Sequence, residues 1–312
     1  MVKAMNKPPH HWSQTSSRLM NACPRAWALT YGRPSPHTKS RRVSRQHQPR
    51  TFDELLTRTM RATWRRKIED LYQRKIWSTA YTERIFANMV NDALSVAKME
   101  VPPQYLQQKI QQSLKQIQLL EQSTGLRPLV DGQPRRWAYF DRLDSMEVDG
   151  VEFYAAPDLA VYHQHRWTLI RIQFRSPRTG LMSQQLEHLL TVLWALKSEG
   201  LPDHEAAFRL KVVQWKGSRW HEHTLIITPQ LIEQAIGLMK HDVQEMTWLS
   251  RWAKADPSLN TLPLAVHNKH CRGCHHRKKC PALTGLAQAK IRQRSEQLEL
   301  NQSEAIRSLN TA

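Results

Sequence analysis

Four cysteines, the only ones in the chain, constrain its fold more than any other feature. Three of them lie in the stretch "CRGCHHRKKC" (Cys271, Cys274 and Cys280), and Cys23 lies near the other end of the sequence. Thiols at this spacing are typical of tetrahedral zinc sites and iron–sulfur clusters, both of which take four ligands. The pattern predicts one metal centre that joins the two ends of the chain. For zinc, three neighbouring histidines are alternative ligands: His270, His275 and His276.

The chain is also strongly basic. Its 312 residues include 46 Lys and Arg against 27 Asp and Glu, which gives a formal net charge of +19. The excess is concentrated in residues 39–50, 58–67 and 275–279. Cations that neutralise phosphates gain affinity by releasing counterions. The charge distribution therefore predicts a nucleic-acid partner.

The hydropathy pattern excludes a membrane protein at this stage. No apolar run reaches the roughly 18 residues that indicate a spanning helix. The opening residues "MVKAMNKPPHHWSQ" lack the apolar segment of a signal peptide. We therefore expect no membrane partner and a cytoplasmic location, where clustered cysteines hold metal more often than they form disulfides.

Patterning along the chain divides it into five segments. Residues 1–12 are predicted to be disordered, and residues 13–127 form a helical region that contains the first cysteine and a basic linker. A core over residues 128–265, a cysteine segment over 266–285 and a polar helix or tail over 286–312 follow.

The core segment has the patterning of strands. Polar and apolar residues alternate from "WAYFDRLD" to "RIQFRS", with turn signals at Asp149–Gly150 and His163–Arg166. A helix in "LMSQQLEHLLTVLWALKSEG" precedes two more strands, and a helix over 229–254 follows them. This order predicts an α/β fold with a helical region on its N-terminal side.

Three features together resemble one nuclease family. They are "S-x-x-x-x-x-C-P-R" from Ser17 to Arg25, "A-x-P-D" from Ala155 to Asp158, and the three later cysteines. They resemble the iron–sulfur branch of the RecB-like PD-(D/E)XK nucleases, which includes the CRISPR-associated exonucleases and the nuclease domain of AddB. The resemblance implies a restriction-endonuclease-like mixed-sheet core. It also implies a structural cluster, 4Fe-4S in preference to zinc, ligated by Cys23, Cys271, Cys274 and Cys280.

The catalytic motif of that family is present only in part. Family members use an Asp on one strand, then an acid and a Lys one residue apart on the next, to hold Mg²⁺ or Mn²⁺. Asp158 takes the first position, and the apolar alternation places Gln173 and Arg175 in the other two. A register shift of two residues gives Arg171 and Gln173 instead. Because neither register supplies an acid, we expect Asp158 to be ion-paired rather than bound to metal.

These observations predict a nucleic-acid-binding protein of nuclease fold, catalytically degenerate, that acts as a DNA-handling subunit of a defence, recombination or transposition complex. The predicted contacts are Arg171, Arg175, Arg65, Arg66, Lys278 and Lys279. One alternative is an active Mg²⁺- or Mn²⁺-dependent DNase that uses Asp158, Gln173, Arg175 and a relocated acid such as Glu187 or Glu69. A second alternative is a structural scaffold that docks a protein partner or RNA.

Overall fold

The computed structural model describes residues 11–32, 51–175 and 182–256, and from residue 258 onward residues 258–259, 261–265, 270, 271, 274, 276, 277 and 280. The chain divides into two compact units. The first comprises the described residues within Met1–Thr38 and Asp242–Ala312, and the second those within Lys39–His241. The predicted boundary near residue 128 is therefore not a unit boundary, because the helices before it belong to the same unit as the sheet.

The N-terminal part of the first unit is a short strand followed by broken helix. Strand β1 is His11–Ser13, helix α1 is Gln14–Ala22, α2 is Pro24–Trp27, and a π-helical turn spans Ala28–Gly32. The break between α1 and α2 falls at Cys23, and Pro24 takes the first position of α2, where its missing N–H is not needed. The sequence predicts this interruption at Pro24.

The rest of the first unit packs on this segment. Its core joins residues from both ends of the chain: Met20, Trp27, Ala28, Met246, Leu249, Ala253, Leu259 and Leu262. The indole of Trp12, which is 1% exposed, donates a hydrogen bond to Asp242 Oδ2 at 2.9 Å. Residues 1–10 lie outside the described residues, but His11 and Trp12, which we assigned to the disordered terminus, are ordered in β1.

The second unit begins with helices α3 (Phe52–Tyr72), α4 (Thr79–Ala97), α5 (Pro103–Glu121) and the short α6 (Arg127–Val130). The side chain of Thr51 caps α3 by accepting a hydrogen bond from the Glu54 amide, a role that threonine commonly takes at helix starts. Contacts of Thr63 with Met89 and of Lys67 with Thr82 show that α3 and α4 run antiparallel.

Strands of the second unit form a mixed five-stranded sheet. Its members are β2 (Trp137–Tyr139), β5 (Leu159–His163), β6 (Arg166–Gln173), β7 (Phe208–Lys216) and β8 (Arg219–Leu225), in the order β2-β5-β6-β7-β8. Only β6 and β7 pair in parallel, and α7 (Met182–Lys197) connects them. The fold is therefore a mixed α/β arrangement, as expected.

Turns of the second unit confirm the sequence signals. The hairpin of β3 (Met146–Val148) and β4 (Val151–Tyr154) closes at Asp149–Gly150, where φ is 51° and 77°. The β5–β6 hairpin closes at Gln164–His165, where φ is 50° and 60°. Two consecutive positive φ values are those of the two-residue turns that match the twist of a hairpin. The last helix, α8, spans Pro229–Ala255.

The two faces of β6 have different environments. Ile170, Ile172 and Phe174 are at most 2% exposed and belong to the main core together with buried residues of α3, α4 and α5. The alternate residues point to the other face, which α7 covers. The sheet thus lies between two helical layers, and the polar side chains of β6 face α7.

Candidate functional site

Asp158, just before β5, is held by an arginine that the sequence interpretation did not single out. Arg142 donates from Nε to Asp158 Oδ1 at 2.7 Å and from a terminal nitrogen to Oδ2 at 2.8 Å. The same terminal nitrogen donates to the carbonyl of Ile172 at 2.6 Å, and the Ile172 amide donates to Asp158 Oδ2 at 2.7 Å. Both carboxylate oxygens and the adjacent strand carbonyl are therefore engaged by one guanidinium group.

Electrostatics favour the charged form of this carboxyl. Burial acts to raise the pKa of Asp158, but the charge and hydrogen bonds of Arg142, followed by the charge of Arg171, hold the pKa below its usual range. The prediction that Asp158 is ion-paired is confirmed, although its partner is Arg142.

The strand register places Arg171, and not Gln173, beside Asp158. The Asp158 amide donates to the carbonyl of Ile170, and Leu159 pairs with Ile170. Arg171 is 9% exposed, and its guanidinium donates to the carbonyl of Ala156. Of the two registers considered, this geometry selects the one with Arg171 and Gln173. Arg175 lies beyond the end of the strand and is exposed.

Helix α3 adds further cations to the surroundings of Asp158. Arg61 is exposed as a residue, but the protein around its guanidinium desolvates that group and, together with the charge of Arg142, lowers its pKa to about 10, while Asp158 acts in the opposite direction. Arg61 therefore remains charged at neutral pH and lies close enough to Arg142 and Asp158 to interact with both. Arg58 also acts on Arg61, but it forms an ion pair with Glu54 at 2.5 Å.

The remaining predicted nucleic-acid contacts lie in different environments. Arg65 forms ion pairs with Glu69 and Asp141, each at 2.8 Å, and their hydrogen bonds raise the pKa of Arg65 against the opposing effect of burial. Arg66 is exposed. Lys278 and Lys279 lie outside the described residues. The role of all four as nucleic-acid contacts stays a prediction.

The predicted relocated acid lies on α7, next to a polar contact with β6. Gln173 Nε2 and His188 Nε2 are 3.0 Å apart, and His188 is 3% exposed. Glu187 is 8% exposed and Gln173 Oε1 is buried without a hydrogen-bond partner among the described residues. Magnesium and manganese prefer several carboxylate oxygens. The Gln173 amide is neutral, the Asp158 carboxylate is already held by Arg142, and the two do not form the carboxylate set that either ion prefers.

The four cysteines all lie in the first unit, each partly buried, and none forms a disulfide. Burial and then the charges of Cys274, Cys280 and Cys271 raise the pKa of the Cys23 thiol, against a backbone hydrogen bond that lowers it. All three later cysteines are thus near enough to influence Cys23. Residues from the two ends of the chain lie in one unit, and the common metal centre of the four cysteines stays a prediction.

Local turns position these thiols. Cys23 Sγ accepts a hydrogen bond from the Ala26 amide at 3.4 Å, and Cys274 Sγ accepts one from the His276 amide at 3.4 Å. Backbone hydrogen bonds join Cys274 to Cys271 and Cys280 to Arg277. Four thiols, two of them with an amide donor directed at the sulfur, fit the chemistry of a thiolate-ligated metal or cluster. In the described part of the chain, however, no three His, Cys, Asp or Glu side chains are grouped closely enough to hold a metal ion.

His276 has a different contact from the one expected of a ligand. Its Nε2 lies 3.0 Å from Thr30 Oγ1, in the π-helical turn that follows α2. This contact ties the cysteine segment to the N-terminal helices. His270 is exposed, and His275 lies outside the described residues.

Sequence signals point towards the arginines of this site, although none of them identifies the partner of Asp158. Arg58, Arg61 and Arg65 recur at helical spacing, which places them along one side of α3. Arg142 lies in the stretch "FDRLD", which alternates acid and base within a loop between predicted strands. A buried carboxylate needs a cationic partner, and this loop is near Asp158 along the chain.

Comparisons with known proteins add little to this geometry. No family model matches the chain, and no curated protein matches it. A solved structure described as the crystal structure of SSO0001 is 14% identical, with a TM-score of 0.27, over 76% of this chain and 98% of that one. None of the described helices combines the length and apolar character needed to cross a membrane.

Proposed function

We propose that this protein is a catalytically degenerate member of the RecB-like PD-(D/E)XK nucleases that binds nucleic acid, DNA in the first place, without hydrolysing it. A mixed sheet with one parallel pair, flanked by helices, supports this proposal. So does the position of Asp158 at the start of β5, beside β6. The role as DNA-handling subunit of a defence, recombination or transposition complex rests on the sequence resemblance.

One observation carries the proposal: the guanidinium of Arg142 binds both oxygens of Asp158 and the carbonyl of Ile172. By the family resemblance, the Asp158 carboxylate oxygens are donors that a divalent cation would use. An arginine stays protonated at any physiological pH, so it does not vacate the carboxylate by losing its proton. The position next to Asp158 on β6 is also cationic, because Arg171 lies there.

The surroundings of Asp158 have an excess of positive charge. Arg61, Arg142 and Arg171 contribute three guanidinium groups against one carboxylate. Arg171 is buried and bonded to a backbone carbonyl, and Arg142 is 29% exposed. Arg61 is therefore the group best placed to reach a phosphate, with the other two supporting it through their field. A phosphate contact at this point positions a strand without reading its sequence.

The four cysteines serve this function indirectly. Cys23, Cys271, Cys274 and Cys280 would hold an iron–sulfur cluster, or zinc in the alternative, as a closed set of protein ligands. Such a centre supplies no open position for a substrate. It fixes the N-terminal helices to the C-terminal segment within the first unit.

A nuclease assay tests the absence of hydrolysis. Purified wild-type protein and the Asp158→Ala variant are incubated with single- and double-stranded DNA in Mg²⁺ or Mn²⁺. We expect no cleavage above background from either. Metal-dependent cleavage by the wild type that disappears in Asp158→Ala would overturn the proposal in favour of an active nuclease with a relocated acid, for which Glu187→Gln is the next variant to examine.

A salt titration tests binding. Removal of one phosphate contact reduces the slope of log affinity against log salt by about 1 for duplex DNA. We expect Arg61→Ala to show this change. Arg127→Ala is the matched control, since Arg127 is an exposed helical arginine with its own i,i+4 carboxylate partner. If Arg61→Ala and Arg127→Ala show the same salt slope, the face around Asp158 is not the contact surface.

A further inference from the structure

Three aromatic rings form a partly exposed cluster at the C-terminal end of α3. The ring of Tyr72 lies 5.0 Å from that of Trp137 and 5.3 Å from that of Tyr139, at interplanar angles of 88° and 73°. Trp137 and Tyr139 occupy the same face of β2, the first strand of the five-stranded sheet. Tyr72 remains 53% exposed. Trp137 and Tyr139 thus pack against the ring of Tyr72, which remains accessible to solvent.

Cations flank this cluster on both sides. Arg74 and Lys75 follow Tyr72, and Arg135 and Arg136 precede Trp137, and all four are exposed. Consecutive Cα atoms are about 3.8 Å apart, so each of these side chains originates close to the rings. The nearby acids of α3 have other partners: Asp70 accepts from the indole of Trp77 at 2.7 Å, and Glu69 binds Arg65.

Arg74 ends α3 in the left-handed backbone region. Arg74 has φ of 63°, and the Arg74 and Lys75 amides donate to the carbonyls of Leu71 and Asp70 to close the helix. This left-handed position after a helix strongly favours glycine, because any side chain is strained there. An arginine at this position costs stability relative to glycine, as Lys98 does at the end of α4.

The cluster continues the surface proposed above. At 100° per residue, Arg61, Arg65 and Tyr72 fall within about 40° of one another around α3. The rise of about 1.5 Å per residue places Tyr72 about 16 Å from Arg61 along the helix axis. These three side chains therefore originate on one side of α3, with the buried Ile68 between Arg65 and Tyr72.

We propose that Tyr72, supported by Trp137 and Tyr139 and flanked by Arg74, Lys75, Arg135 and Arg136, is a stacking site for the bases of an unpaired nucleic-acid strand. The inference rests on the proposed function and gives it a second contact surface. Aromatic side chains bind unpaired bases without sequence preference, and the adjacent cations neutralise the backbone. A fully paired duplex does not present base faces to such a ring, so the site selects single strands.

A charge variant that stabilises the fold gives the first test. Arg74→Gly removes both the cation and the strain, so we expect the Tm to rise by about 2 °C. The affinity for a fluorescent oligothymidylate should fall, and the salt slope should decrease by about 0.7. Lys98→Gly is the matched control, because Lys98 also has a positive φ, at the end of α4. The antiparallel pairing places it at the far end of α3. Equal affinities of the two variants would overturn the inference.

A ring variant gives the second test. We expect Tyr72→Leu to weaken oligothymidylate binding by about fivefold or more with an unchanged salt slope, and Tyr72→Phe to bind as the wild type. Tyr105→Leu is the control, since Tyr105 is 44% exposed, lies near the ring of Phe52 at the start of α3 and has Lys109 over its ring. If Tyr72→Leu and Tyr105→Leu bind equally well, the stacking site is wrong while the Arg61-dependent contact stands. If the wild type binds no nucleic acid, both proposals fail.

Discussion

At the scale of single residues, the contact between Arg142 and Asp158 decides what the site can do. The side chains are 29% and 18% exposed, so the pair is partly withdrawn from water. Pairs of this kind gain little over an apolar replacement, but removal of one member leaves an uncompensated charge. Removing one member of the pair should therefore lower the free energy of unfolding, whether or not the intact pair is itself stabilising.

We predict that Arg142→Met lowers the free energy of unfolding by about 3 kcal/mol at neutral pH, because the Asp158 carboxylate loses its partner. The pKa of Asp158 in the folded wild type is depressed. In the wild type, the stabilisation by ionised Asp158 is therefore complete above the unfolded-state pKa of about 3.9. It is lost as the pH falls through the folded-state pKa. The deficit of the variant should shrink as the pH falls, first because its unpaired Asp158 takes up a proton above the unfolded pKa and then because the wild type loses its contribution. Urea unfolding at several pH values measures it.

The matched variant is Arg142→Met combined with Asp158→Asn, which removes both charges and should recover most of the stability. A deficit of the same size at all pH values would contradict the electrostatic account.

The sequence did not reveal this pair for a physical reason. The stretch "APD" identifies Asp158 in the sequence, and the arginines of β6 led us to expect that its carboxylate is ion-paired. Arg142 reaches it from a loop 16 residues away. Loop side chains have no periodicity that reports their direction, so only the folded chain could identify which arginine binds the carboxylate.

At the scale of elements, local chemistry predicted boundaries well. The capping threonine of α3, the proline of α2 and the two hairpin turns follow from backbone preferences of the residues themselves. These features can be predicted from the sequence alone, because each side chain or backbone preference acts on groups only a few residues away.

The register of β6 against β5 was not predictable in the same way. Side chains alternate with period two, so a shift of two residues keeps the same apolar face in the core. Hydrophobic patterning therefore cannot separate Arg171 from Gln173 as the neighbour of Asp158. The backbone pairing of Leu159 with Ile170 does so.

A prediction at this scale concerns the N-terminus of α3, the helix that presents Arg61. Thr51→Ala removes the oxygen that accepts from the Glu54 amide and should cost about 1 kcal/mol. Thr51→Ser keeps that oxygen and should remain within about 0.5 kcal/mol of the wild type. Denaturant unfolding of the three proteins measures the difference. Equal losses in both variants would show that the methyl group, rather than the cap, stabilises the helix.

At the scale of the whole molecule, the two ends of the chain form one unit. Its core contains Met20 and Trp27 from one end and Met246 and Leu249 from the other, all at most 4% exposed. Arg25 reaches the carbonyl of Ser258 at 3.1 Å. Contacts of such sequence separation are formed late, because closing a long loop costs entropy before it is repaid. The proposed metal centre, with Cys23 from one end and three cysteines from the other, would offset part of this cost.

The last prediction tests that link through the metal content of the protein. We expect protein purified under anaerobic conditions to contain iron and to absorb in the visible range, and Cys23→Ser to lose most of that iron and to have a lower Tm. His276→Ala is the control, because His276 is part of the cysteine segment but contacts Thr30, so its replacement should leave the iron content unchanged.

Zinc in a colourless wild type would replace the cluster by the alternative metal. Unchanged metal content in Cys23→Ser would contradict a four-cysteine centre, because three ligands from one short segment would then suffice. Lower stability of Cys23→Ser together with loss of metal would show that the centre stabilises the unit formed by the two chain ends.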